Sequence, residues 1–396
     1  MSSPTPDNPR GSSRGKRAAE RPTSRLRRGR KDDHRDAVVP TTEPAPVAAP
    51  APSVEPSGPQ LPPEGPRRTL LIIWFAVLAA GIAALAWSAL SGALGGTSAL
   101  VGSAPAWVDG VGAVAVVTSL SWLLATRTAG RALVSAGLAL ALGVASLLVG
   151  GRVLPTGAAV MTCVVGSVYA VMVTVPAITW WKAGREALVA TAVAAVTAFA
   201  AVGFEPTVAS ERFDIVALLL ALALAFTIVY RLGAGLHGLG RRGLIIVAIG
   251  LAVLFATLAY AELLRRYGAQ SVVSSILDFA DATSARFGAF PRPLVVLLGI
   301  PALVWGTHVR ARRRQGWWVC AFGVAATVPL ASGLVAPDSS YAEAGLRAAY
   351  SVVLGLVIGY LVIRADLALT GPKGRGGRRA EEAGPHRPEP SRFAEL

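Results

Sequence analysis

Apolar runs of roughly 18 to 25 residues, separated by short clusters of charge, recur along most of this 396-residue chain. Coiled at about 1.5 Å per residue, a run of that length crosses the ~30 Å hydrocarbon core of a bilayer. Backbone polar groups find no water in that layer, so such runs fold as helices. Charged residues make up only 15% of the chain and hydrophobic ones 53%, against about a quarter charged in a soluble domain. The expected fold class is therefore an all-α, polytopic integral membrane helical bundle, with the lipid bilayer as its first partner.

Ten spans account for the runs: residues 69–94, 110–126, 132–151, 156–181, 186–204, 213–231, 243–264, 293–309, 316–336 and 344–364. The charges between them test the count. With a cytoplasmic N-terminus, the inner segments carry Arg127 and Arg131, then Lys182 and Arg185, then Arg231, Arg241 and Arg242, and finally Arg310, Arg312, Arg313 and Arg314. With the two tails they hold 31 of the 38 basic residues, while the outer segments hold seven, together with acids such as Asp109, Glu205, Asp214 and Glu343. This alternation follows the positive-inside rule and predicts a multi-pass plasma-membrane protein with both termini cytoplasmic. Trp107 at an outer end and Trp180, Trp181, Trp317 and Trp318 at inner ends suit interfacial belts.

Three sections follow from composition. Residues 1–66, Arg-rich and then Pro/Ala-rich, have almost no large apolar side chains and are expected to be a disordered cytoplasmic tail. Its basic arm would meet anionic inner-leaflet lipids, at about 1 kcal/mol per Lys or Arg near the surface. Nucleic acid is the less favoured partner for a basic tail beside a span. Residues 67–366 form the transmembrane domain, and 367–396 a second disordered basic tail.

Several chemistries lack their residues. The chain has no His-Glu-x-x-His, no phosphate-binding loop ending in Lys-Ser/Thr and no Gly-x-Ser-x-Gly. His34, His237, His308 and His386 are scattered, without a carboxylate at ligand spacing, and Cys163 and Cys320 sit in apolar runs. The Gly-x-Gly-x-x-Gly match at 233–238 lies in a short inner loop with no strand before it and reads as a connector. No cofactor, no metal and no catalytic residue is expected. Glu186 and Asp214 read as N-terminal caps of the fifth and sixth spans, and Glu262 as a helix partner of Arg265 and Arg266. With no ionisable group near a span centre, a substrate carrying a large buried charge would lack a partner.

Neutral polar groups are richer. In the fourth span, helical spacing puts Cys163, Ser167, Ala170 and Thr174 on one face, with Thr162, Gly166, Tyr169 and Pro176 beside them. Such a face packs against another helix or lines a pathway. Gly355 and Gly359 in the tenth span form a packing motif. Pro176, in VTVPAITWW, frees the carbonyl of Met172; Pro329, in ATVPLASG, frees that of Ala325; Pro301 is a third case. In lipid, freed carbonyls persist where protein or a water-filled cavity covers them.

Divided five and five, the spans adopt the inverted-repeat plan of many secondary transporters. The division pairs spans four and nine, the two that carry Thr-Val-Pro. Tyr169, Thr174, Pro176, Thr327 and Pro329 are accordingly the candidate substrate pathway. The outer segment 265–292 contains an amphipathic stretch, 271–287, with Val272, Val273, Ile276 and Leu277 opposed by Ser274, Ser275, Asp278 and Asp281. Asp278 and Asp281 are the candidate outer gate.

The expected function is a transporter or flippase-like carrier of a neutral or amphiphilic small molecule or lipid intermediate. The alternatives are a membrane scaffold of a cell-envelope assembly and, less favoured, a lipid-linked glycosyltransferase-type enzyme, for which the first outer loop offers only Asp109. The ten-span layout is similar to that of the drug/metabolite transporter superfamily; no residue motif accompanies that likeness.

Overall fold

A computed structural model describes residues 68–93, 103–149, 151–207, 210–232, 270–293, 295–312, 317–335, 340–370 and 392–393, and its regular elements are all helical. They are α1 (Arg68–Ala93), α2 (Trp107–Arg127), α3 (Ala132–Val149), α4 (Val153–Met172), α5 (Trp180–Val202), α6 (Ser210–Arg231), α7 (Gln270–Phe287), α8 (Ile300–Arg312), α9 (Trp317–Ala331) and α10 (Tyr341–Thr370). A π-helical turn at Val295–Gly299 leads into α8. Seven helices, α1 to α6 and α10, are long and apolar enough to cross a membrane, consistent with a multi-pass membrane protein. The predicted span 243–264, Glu262, the glycine motif at 233–238 and the tail 1–66 lie outside the described residues.

One predicted span is corrected in length. The eighth corresponds to an apolar helix of equal length displaced by two residues, Val295–Ala311, and the ninth to a shorter one, Val319–Ala331, only ~20 Å long. Pro329 lies inside α9, two residues before its end, and a turn at 332–334 follows. Pro301 sits just after the junction of the π-helical turn with α8, inside the continuous apolar helix Val295–Ala311, at the point where the helical winding changes.

The fourth span is corrected in shape. It does not run to Trp181: α4 stops at Met172, residues 173–179 are non-helical, and α5 begins at Trp180 with Thr179 Oγ1 accepting from the amide of Lys182. Pro176 cannot donate, and its ring disfavours helical geometry at Val175. The start of α5 therefore slides back by six residues from the predicted 186. Glu186, expected to cap this helix, lies well inside it and is fully buried.

Contacts between small residues set the helix directions. Gly143 meets Val114 and Gly110 meets Leu147, an antiparallel register between α2 and α3. Along α4 and α9, Cys163 Sγ donates to the carbonyl of Ala331, Thr327 Oγ1 donates to that of Ser167 at 3.1 Å, and Gly323 packs on Val171. Each step of four along one helix is a step of four back along the other, so α4 and α9 form a long antiparallel seam. The face predicted to hold Cys163 and Ser167 is the face that α9 covers. Phe226, late in α6, approaches Trp317 at the start of α9, so α6 ends where α9 begins. Arg127, Arg185, Arg231 and Arg310 share this basic end of the bundle, and Arg292 lies at the opposite end.

Stripes of alanine explain the close packing. Ala183, Ala187, Ala190, Ala194, Ala198 and Ala201 run down the buried side of α5, and Ala217, Ala221 and Ala225 down that of α6. Small side chains let membrane helices approach until backbone and side-chain dispersion contacts form. The Gly355–Gly359 motif works as predicted, seating α10 on Ile300 and Val304 of α8. A Cβ at 355 would lie 2.6 Å from that of Ile300. Gly355→Ala is expected to cost about 1–3 kcal/mol through overpacking. Its readout is the unfolding midpoint in detergent, with a maleimide dye reporting exposure of the two buried thiols, Cys163 and Cys320; an unchanged midpoint would contradict this packing.

Candidate functional site

The segment 173–179 raises an accounting problem, because irregular backbone inside a membrane bundle must find partners other than water. Val173 to Ala177 are all buried. The Val173 and Thr174 amides close the last turn of α4 on the carbonyls of Tyr169 and Val171, at 2.9 and 3.1 Å. Beyond that point the helix supplies nothing, and other elements take over. The Val175 amide donates to Glu186 Oε2 at 3.0 Å, and the Ala177 amide to the carbonyl of Thr307 at 3.0 Å. His308 Nδ1 lies 3.2 Å from the Ala177 carbonyl.

The carbonyl of Met172, which Pro176 frees, is met by Arg127 Nε at 3.1 Å. Arg310 Nη2 donates to Thr174 Oγ1 at 2.6 Å, and that hydroxyl donates onward to the carbonyl of Val171 at 2.6 Å. Arg392, from the C-terminal segment, donates to the carbonyl of Val173 at 3.2 Å. The same guanidinium grips Glu186 through two parallel bonds of 2.7 Å, from Nη1 to Oε2 and from Nη2 to Oε1. This is the two-pronged geometry that makes arginine–carboxylate pairs strong and directional. Arg185 Nε adds a third bond to Oε1 at 3.1 Å. Phe393 beside it sits edge-on to Phe75 of α1 at 5.3 Å.

Four charged side chains from α2, α5, α8 and the C-terminal segment thus converge on one unwound stretch. Arg127 is 2% exposed and Glu186 0%. Taking these charges out of water is costly, and the hydrogen bonds between them and to the freed backbone offset that cost. Among the described residues, no three His, Cys, Asp or Glu side chains group together at metal-binding distances. The cluster's geometry serves backbone recognition and charge pairing.

The structure distributes the predicted pathway residues along the seam. Tyr169, Thr174 and Pro176 lie buried at the basic end, within the cluster or one turn from it. Thr327 is buried at mid-seam, opposite Ser167, about 10 Å along the helix from Thr174. Pro329 is at the opposite end, where its carbonyl accepts from Arg292 Nη1 at 2.6 Å. Asp278 and Asp281 are exposed on α7 and do not join these residues. Ser167 Oγ, facing the seam, is buried and has no hydrogen-bond partner among the described residues.

Arg127, Glu186, Arg310, His308 and Arg392 were not among the sequence candidates. Arg127 and Arg310 read as loop charges that set topology. The one local signal for them was the orphaned carbonyl of Met172, which required some donor nearby. Comparison with protein-family models, curated proteins and solved structures finds no match to this chain.

Proposed function

We propose that the chain is a plasma-membrane carrier of ten spans, with both termini cytoplasmic, that moves an amphiphilic small molecule or lipid intermediate along the α4–α9 seam. The observation that carries this reading is the unwound stretch 173–179, held by side chains from other elements instead of by its own helix. Interrupted helices with freed backbone groups facing the protein interior are the usual site-building device of secondary transporters. The charged cluster moves the preferred substrate away from a purely neutral solute, because guanidinium groups within the bundle suit an anionic or strongly polar head.

The five-plus-five repeat draws support from the seam. A two-fold axis carrying Thr174 onto Thr327 would pass near Val171 and Gly323, which touch. One Thr-Val-Pro then lies toward each end of the bundle, as alternating access by two related halves requires. The two copies differ in that α4 breaks before its proline whereas α9 continues two residues past its own. Under this reading α7, with Asp278 and Asp281 exposed, gates the outer side.

Purified protein in liposomes, with a fluorescent short-chain phospholipid and dithionite bleaching as the readout, is expected to move label between leaflets. Pro176→Ala lets α4 continue past its break and is expected to slow movement about tenfold, equivalent to ~1.4 kcal/mol of barrier. No movement by the unmodified protein would remove the lipid-carrier reading. Unchanged rates in both Pro176→Ala and Pro329→Ala would remove the pathway.

A further inference from the structure

At the end of the bundle opposite the charged cluster, α1 stands away from α5 and α10. The gap is a cavity of about 450 Å³, walled by Ile82, Ala86 and Leu90 of α1, Val196 and Phe199 of α5, and Tyr341 of α10. Its size falls in the roughly 300–1,000 Å³ range of small-molecule sites. Its lining is apolar apart from the tyrosine. Leu90, Phe199 and Tyr341 are substantially exposed, so the groove is open on one side.

Phe199 and Tyr341 stack at 5.6 Å, nearly parallel. They also wall a second, smaller cavity of about 90 Å³ that is lined by Arg292, Arg347, Ser351 and Pro329. The two spaces therefore adjoin across one aromatic pair. Arg292 is half-buried there and fixed in place: its amide donates to Ser351 Oγ at 3.0 Å and its Nη1 to the Pro329 carbonyl at 2.6 Å. Nε and Nη2, the edge of the fork that receives two oxygens side by side, have no acceptor among the described residues. Arg347, paired with Glu343 one turn away on α10, also lines this cavity. Burial lowers the pKa of Arg292, nearby Asp214 offsets this, and Arg347 adds to the lowering. An anion in the small cavity would offset the cost of burying this charge beside another arginine.

We infer that this paired cavity binds a phosphate-headed membrane lipid, its hydrocarbon chain in the groove between α1, α5 and α10 and its phosphate on the open edge of Arg292. A hydrocarbon slot alone would accept any apolar chain, and a lone guanidinium any anion. Their adjacency selects a molecule that has both, and a side-on arginine fits two phosphate oxygens better than a lysine would. The inference deepens the carrier reading by naming its substrate class, but binding at this site can be measured without transport.

The experiment is native mass spectrometry of the purified full chain with phosphatidic acid, phosphatidylcholine and oleate as separate probes. Phosphatidic acid is expected to be retained most strongly. Arg292→Gln should weaken its retention about tenfold, equivalent to ~1.4 kcal/mol, and weaken that of phosphatidylcholine less, because the choline already offsets its phosphate charge. Arg292→Lys keeps the charge and should fall between. Ala86→Trp fills the groove far from the arginine and should weaken both lipids without disturbing the Pro329 contact. Equal retention of phosphatidic acid by Arg292→Gln and the parent, or stronger retention of oleate than of phosphatidic acid, would overturn the assignment. Retention without movement between leaflets sinks only the carrier reading; movement accompanied by equal phosphatidic acid retention in Arg292→Gln and the parent sinks only this site.

Discussion

Arg392→Ala is expected to lower the unfolding midpoint of the purified protein by on the order of 10 °C, corresponding to about 3–5 kcal/mol. The reason is asymmetric. The pair itself contributes little against a well-packed apolar alternative, because both groups lose hydration. Removing one partner, however, leaves Glu186 fully buried with only Arg185 and the Val175 amide to hold it. Glu186→Gln in the same background should restore part of the loss, since a neutral amide can still accept from Val175. The double change is then milder than the sum of the single ones, which is the signature of direct coupling. Maleimide labelling of Cys163 and Cys320 on heating gives the readout, and a midpoint for Arg392→Ala equal to the parent's would show that the contact contributes nothing.

The second large effect concerns the seat of α4 on α5. A Cβ on Gly166 would lie 2.1 Å from Thr197 Oγ1 and 2.3 Å from its Cγ2. Thr197 is fully buried, and its hydroxyl already bonds the carbonyl of Val193 at 2.7 Å, so it has little room to turn. Gly166→Leu must therefore push the two helices apart, at about 3 kcal/mol. Because α5 also carries Glu186, the displacement should loosen the cluster at 173–179 as well. Cys163, less than one turn from Gly166, should then label faster at temperatures below the midpoint. Gly166→Leu combined with Thr197→Gly is expected to recover part of the stability, and Thr197→Ala less, because the Cβ it keeps lies 2.7 Å from the added one. No recovery would place the clash elsewhere.

How much of this was legible from residue order depends on the range of the interaction. The approximate positions of the seven membrane-length helices followed from run length, and the α8–α10 contact from two glycines four residues apart. The α9-facing side of α4 followed from helical spacing of Cys163 and Ser167. Pro176 pointed correctly to an orphaned carbonyl at Met172. The extent of α4 was misjudged because the apolar run continues through the proline to Trp181, and hydropathy alone does not register a change of backbone direction. That error displaced the start of α5 and turned a buried carboxylate into an apparent cap. Arg127 and Arg310 were misread for a related reason: a basic residue at a span end has the same local pattern whether it faces headgroups or turns inward. The bond from Arg392 crosses 206 positions and leaves no periodic trace.

That long-range bond bears on the order in which the site can be built. Glu186 leaves the ribosome 206 residues ahead of the guanidinium that neutralises it. During that interval α5 must sit in the bilayer with an acid whose final partner does not yet exist, and Arg185 next to it is the available counter-charge. Completion of the site is a late event in biogenesis. A tag or fusion placed close behind Phe393 would interfere with that last step, even though it lies far along the chain from every helix it affects.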